Sequence, residues 1–234
     1  MTRLPATAPV IAIDGPSGSG KGTISRRVAE RLGWHLLDSG ALYRILALVA
    51  KDAGAGADDE ARLERLAWGL KVEFGQDGKG GERILLAGKD VTLKVRAEET
   101  GERASQLAVI PGVRAGLAGL QRSFRRDPGL VADGRDMGTV VFPEARLKIF
   151  LTASARERAE RRYNQLKEKG LTANLDALFR DISARDERDQ TRSLSPLQPA
   201  ADAVRLDTTG IGIEAVVARV MELARERFGA TPGV

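Results

Sequence analysis

Nine residues near the start of the chain constrain its fold more than any others: Gly15-Pro-Ser-Gly-Ser-Gly-Lys-Gly-Thr23. The apolar run Val10–Asp14 precedes them, and Ile24, Val28 and Leu32 follow at helical spacing until Gly33, so the stretch reads as strand, loop and helix. In that context the spacing fits G-x-x-x-x-G-K. The glycines let consecutive backbone N–H groups point inward, the helix N-terminus adds partial positive charge, and Lys21 extends to the same place, which suits a phosphate. Gly15, Pro16, Ser17, Gly18, Ser19, Gly20, Lys21, Gly22 and Thr23 are therefore the expected phosphate-binding set. A dinucleotide turn is excluded, because Gly18, Gly20 and Gly22 are not spaced as G-x-G-x-x-G and such a turn has no use for a lysine. Gly22 stands where the general motif has Ser or Thr to hold Mg²⁺. Thr23 is then the nearest hydroxyl, with coordination through water as the alternative.

The rest of the chain repeats the pattern. Short apolar runs at Trp34–Asp38, Leu130–Asp133, Leu147–Leu151 and Ala203–Asp207 read as strands, and 41–51, 112–126, 154–169, 174–189 and 213–228 as helices. Strands separated by helices imply crossovers, hence an α/β fold of three layers with a central parallel sheet flanked by helices. One region breaks the rhythm. Lys71–Phe74, the turn-rich Gly75–Gly81 and Glu82–Ala87 read as a hairpin, and Asp90–Leu93 as a third short strand, giving a small antiparallel insertion. The expected organisation is core over 9–65, insertion over 66–107, core over 108–155, arginine-rich helices over 156–192, core over 193–228 and a frayed tail over 229–234. His35, Trp34, Trp68, Phe142 and Phe150 are expected in the core.

Composition closes off several chemistries. With no Cys there are no disulfides, thiolate metal sites or cysteine nucleophiles, and with His35 as the only His no multi-imidazole metal site. No apolar run approaches a membrane span, and residues 1–8 lack the apolar stretch of a secretory signal, so the expectation is a cytoplasmic protein that does not act at a membrane. The net charge of +5 suits acidic partners but does not choose among them. From Arg156 to Arg192 eight Arg and two Lys face eight acidic residues, so the charge is interleaved. That interleaving, with no aromatic-rich surface, argues against a nucleic-acid-binding or switch module and for a small-molecule partner. Nothing in the sequence demands more than a monomer.

Two further strand ends carry candidate residues. Ser39 lies at the carboxyl end of the second strand, with Tyr43 and Arg44 on the helix that follows. Asp133-Gly-Arg-Asp136 puts two acids and Arg135 at the tip of the third, where Asp133 is suited to orient Mg²⁺ through water. Arg158, Arg161 and Arg162 share one helix face, and Arg185, Arg188, Asp189 and Arg192 another. Beside a phosphate loop, such groupings suit phosphoryl transfer, which depends on positioning and on guanidinium groups around the transferred phosphoryl.

Taken together, the segments from Ile13 to Thr23, Leu37 to Arg44, Asp133 to Pro143 and Arg185 to Arg192 resemble the bacterial type of cytidylate kinase, from about Pro9 to Phe228. The segment at 66–107 resembles the insertion of that type, in its monophosphate-binding region. The resemblance implies transfer of the ATP γ-phosphoryl to CMP or dCMP with Mg²⁺. It implies that Ser105, Arg114 and Asp136 read cytosine, and that Arg185 and Asp189 hold the ribose. Arg44, Arg135 and Arg192 would grip the acceptor phosphate, with Ser39 and Tyr43 lining that pocket. Lys21 and its loop would hold ATP, and Arg161 and Arg162 would belong to a helical lid over 156–192, so that Lys21, Arg135, Arg161, Arg162 and Arg192 form the catalytic set. Thr23 and Asp133 are the metal candidates. Other small-metabolite kinases share the loop and would be separated by acceptor profiling.

Overall fold

The computed structural model describes residues 8–78, 81–168 and 172–229. The tip of the expected hairpin turn (79–80), the segment 169–171 of the expected lid and the tail 230–234 lie outside the described residues. The chain divides into two compact units, one of 1–36 with 125–234 and one of 37–124.

The first unit is built on β1 (Val10–Asp14), buried along its whole length. It pairs in parallel with β6 (Leu130–Gly134) on one side and β7 (Leu147–Thr152) on the other, with Ile11 opposite Val131 and Leu147. With β2 (His35–Asp38) and β8 (Val204–Asp207) the sheet runs β2-β6-β1-β7-β8. Burial of the middle strands on both faces explains their unbroken apolar runs. Helices α1 (Lys21–Leu32) and α9 (Ile213–Phe228) cover one face, where Ile11, Ile13, Val28, Leu147, Ile149, Val217 and Val220 form one cluster. Each such aliphatic side chain contributes about 1.5–3 kcal/mol relative to exposure. Gly33 closes α1 in a left-handed conformation, and Trp34 then packs edge-on against Phe228 with ring centroids 5.3 Å apart. Two arginine-rich helices, α7 (Ala155–Glu168) and α8 (Leu175–Thr191), complete this unit.

The second unit contains α2 (Ser39–Asp52), α3 (Glu60–Trp68), α4 (Thr92–Arg96), α5 (Glu98–Leu107) and α6 (Pro111–Ser123). Its sheet is antiparallel, with β4 (Glu82–Leu86) between β3 (Val72–Gln76) and β5 (Lys89–Asp90). The expected insertion at 66–107 is one part of this unit, which also takes in α2, most of α3 and α6.

Three expectations are corrected, and one helix is added. The third strand stops at Asp90, because the Asp90 carboxylate accepts both the backbone N–H and the hydroxyl of Thr92 (2.9 and 2.7 Å), which turns the chain into α4. The second half of the insertion is therefore helical. Helix α3 was not foreseen; the Asp59 carboxylate caps it by accepting from Arg62 N at 3.2 Å. Trp68 is 64% exposed, with one side of its ring on the Gly116 and Gly119 surface of α6 and no layer above it. His35 is half-buried, and its Nε2 lies 2.9 Å from the Asp127 carbonyl, a polar partner that a packed apolar site would not supply.

Candidate active site

The glycine-lysine loop leaves β1 and enters α1 under tight steric control. A Cβ at Gly15 would lie 2.3 Å from the Leu151 carbonyl oxygen of β7, so only glycine passes there. Gly18 and Gly20 take φ of 76° and 87°, conformations that L side chains rarely adopt. The buried Lys21 donates from Nζ to the Pro16 carbonyl at 3.1 Å, bracing the loop from within. Helix α1 starts with no side-chain cap and no acid in its first turn. No acid within α1 itself therefore offsets its positive end. The Ser19 hydroxyl is buried without a hydrogen-bond partner, an acceptor-seeking group inside the cradle.

Two buried carboxylates flank this loop. The Asp133 Oδ2 lies 3.3 Å from where a Cβ on Gly22 would stand, so a Ser or Thr at 22 would press on that carboxylate. Asp14, at the end of β1, accepts from Met137 N and Gly138 N, both at 2.8 Å. These donors open a short π-helical turn at Met137–Val141. Burial pushes the Asp14 carboxyl up from 3.8 to about 6, against the two N–H bonds and with a push from Asp136. The sequence reading missed Asp14, although an acid at the last strand position before the loop was its visible signal.

Beyond β6, Arg135 donates from Nε to Asp189 Oδ2 at 3.0 Å, and both side chains are largely buried. Burial opposes ionisation of Asp189, yet Arg135, Arg185 and Arg192 outweigh it and hold its pKa below the ordinary carboxylate value. The structure therefore brings together Arg135, Arg185, Asp189 and Arg192, with Asp136 buried at the same strand tip. Arg192 also donates from Nε to the Ser195 carbonyl. Arg161 bonds Glu157 at 3.0 Å, the Thr208 hydroxyl at 3.1 Å and the Ser19 carbonyl at 3.5 Å, which fastens α7 beside the loop. Arg162, next to it, is half-buried.

In the second unit, Ser39 and Tyr43 are buried on α2. Arg44, one residue further along that helix, donates to the Val95 and Ala97 carbonyls at 3.0 and 2.9 Å, between α4 and α5. A Cβ at Gly101 would lie 2.4 Å from Arg44 Nη2, so the guanidinium rests directly on α5. Ser105 is buried one turn further along α5, and Arg114 on α6 donates to the Ala108 carbonyl at 3.3 Å. Arg96 was also missed. It bonds Asp38 at 2.7 Å and pairs with Glu82.

A parallel sheet whose first strand runs into a braced glycine-lysine loop, with clustered arginines in the same unit, defines a phosphate-loop phosphotransferase. The family model for cytidylate kinase matches residues 11–226. A cytidylate kinase of Pseudomonas syringae pv. tomato is 56% identical over 215 residues, covering 92% of this chain and 94% of that protein. One from a Marinomonas species is 57% identical over 209 residues, covering 89% and 92%. The chain belongs to the cytidylate kinase family.

Proposed function

We propose that this chain transfers the γ-phosphoryl of ATP to CMP or dCMP. An oxygen of the acceptor phosphate forms a bond to the γ-phosphorus, the bond to the β–γ bridging oxygen breaks, and ADP leaves with that electron pair. The products are ADP and CDP or dCDP. The acceptor oxygen is already anionic, so no general base is needed; the task is to offset repulsion between two polyanions and to exclude water. The observation that carries this reading is Asp189 set among Arg135, Arg185 and Arg192 in the same unit as the phosphate loop. A carboxylate suits sugar hydroxyls, and the guanidinium groups suit a phosphate.

In this reading Lys21 and the loop from Gly15 to Thr23 hold the ATP phosphates, supported by the orphaned Ser19 hydroxyl and the uncapped α1. Arg135, Arg192 and Arg44 take the acceptor phosphate, with Ser39 and Tyr43 beside it; Arg185 and Asp189 take the ribose, and Asp136, Ser105 and Arg114 the base. Arg161 and Arg162 act at the transferred phosphoryl. Among the described residues no cluster of three acids or imidazoles offers a metal cage. Asp133 and Thr23 fit a Mg²⁺ held mainly by phosphate oxygens and water. When bound, that ion neutralises charge on the β- and γ-phosphates. Among the described residues no helix is long and apolar enough to cross a membrane. We propose a monomer working in the cytoplasm on small molecules rather than on nucleic acid or membranes.

The test is ADP release with ATP and Mg²⁺ and each of CMP, dCMP, UMP, AMP, GMP and dTMP. Fast release with CMP and dCMP alone is expected. Release with a different acceptor would keep the loop chemistry and overturn the cytosine assignment.

A further inference from the structure

Arg158, near the start of α7, is a buried cation: its side chain is 5% exposed. It spends its donors within the protein. Nε donates to the Ala153 carbonyl at 2.9 Å, and Nη1 to the Ser17 carbonyl of the phosphate loop, also at 2.9 Å. Nη1 and Nη2 together fork onto the two carboxylate oxygens of Asp186, the first at 3.0 Å. Its Cβ stands 3.1 Å from where a Cβ on Gly18 would be, so the helix backbone lies flush against the loop. Asp186 sits on α8, one residue after Arg185 and three before Asp189. A single planar guanidinium thus joins the loop assigned to the donor to the helix whose neighbouring residues are assigned to the acceptor.

We propose that Arg158 is a positioning residue for phosphoryl transfer: through Ser17 and Asp186 it sets the spacing between the phosphate loop and α8, and it touches neither substrate. The inference rests on the phosphotransfer reading above. Three features support a geometric role over simple charge pairing. Arg158 reaches a loop carbonyl as well as a carboxylate. A forked, two-point contact fixes orientation as a lysine ammonium cannot. Buried ion pairs add little net stability over apolar side chains of similar size, so pairing alone does not require this residue type. In a reaction that runs on alignment, a displacement of about 1 Å costs on the order of a hundredfold in rate.

The experiment compares Arg158→Lys with the double variant Arg158→Met/Asp186→Leu, reading kcat at saturating ATP and acceptor, normalised to the folded fraction. The double variant removes both buried charges together, so a role confined to charge burial restores turnover along with stability. A positioning role leaves kcat at least about tenfold low in a folded protein, because the guanidinium bridge from the Ser17 carbonyl to Asp186 of α8 is then gone. Arg158→Lys keeps a cation beside Asp186 and is expected to lose a similar factor; it decides the matter should the double variant not fold. A folded variant of either kind with kcat within about threefold of wild type overturns the proposal. The acceptor panel is run on wild type first and kcat is read on whichever acceptor turns over. Failure of CMP as acceptor therefore overturns the proposed function and leaves the comparison of variants intact.

Discussion

Arg96 donates to Asp38 at 2.7 Å while the other carboxylate oxygen of Asp38 accepts from Ala41 N at 2.9 Å, so one acid both caps α2 and anchors α4. Ser39, Tyr43 and Arg44 all sit on the helix that this acid starts. Asp38→Asn keeps an N-cap acceptor and gives up the negative charge that pairs with Arg96; Asp38→Ala gives up both. We expect the alanine variant to be less stable than the asparagine variant by about 1 kcal/mol, read from urea midpoints. Equal midpoints would show that the cap contributes nothing here.

Lys21 and Arg192 are expected to act on the transition state more than on folding. Replacing either by Ala removes one preorganised donor, about 3 kcal/mol, and should lower kcat/KM at least about a hundredfold. Steady-state kinetics on the folded variants check this. Turnover like that of wild type would remove the residue from the catalytic set.

Base preference tests Asp136. A site built to bond cytosine's amino group and ring nitrogen leaves its own buried polar groups unpaired when UMP enters. Asp136→Ala should therefore narrow the ratio of kcat/KM for CMP over UMP. An unchanged ratio would assign base reading elsewhere.

Asp14 gives the protein a pH dependence of defined sign. Its carboxyl titrates at about 6 in the fold against an ordinary value of 3.8, so between those values the folded state binds more protons than the unfolded chain. The stability contributed by this group is full below the lower value and declines as pH rises to the upper one, by about 3 kcal/mol in total. Asp14→Asn lacks that slope. Urea denaturation of both proteins from pH 4 to 7 should show the wild-type advantage shrinking as pH rises, with other carboxylates cancelling between them. Parallel curves would mean that Asp14 titrates alike in both states. The amide retains only one oxygen for Met137 N and Gly138 N, which adds a cost of about 1–3 kcal/mol where the carboxylate accepted both.

Local signals made much of this protein legible in its sequence. β1, the loop and α1 were visible because apolar run, glycine spacing and helical period agree over Val10 to Gly33. β6, β7 and α9 followed from the same periodicities. What escaped depended on side chains meeting across the chain. Asp90 and Thr92 divert a β-like run into a helix through two hydrogen bonds that no hydropathy pattern encodes. Trp68 is expected inside as a large aromatic, whereas it rests one side of its ring on the Gly116 and Gly119 surface of α6 and leaves the rest exposed. For the candidate site, Arg135 and Asp189 were singled out from motif positions, but their contact at 3.0 Å joins residues 54 apart in the sequence. Asp14 and Arg96 were passed over because their partners, Met137, Gly138 and Asp38, are remote in sequence.

The division of the chain also bears on the order in which it acquires structure. Unit 37–124 is one unbroken segment, whereas β1 finds its partners only far downstream, Val10 opposite Leu130 of β6 and Ile11 opposite Leu147 of β7. Local contacts form early and distant parallel pairings late. During synthesis the first strand, already bearing its phosphate loop, must therefore wait with its edges unpaired until the segment after it has folded and the central strands have emerged. Pulsed amide exchange during refolding should find protection in 37–124 ahead of protection in Val10–Asp14. The first strand of the sheet is thus completed only after the segment that follows it in the chain.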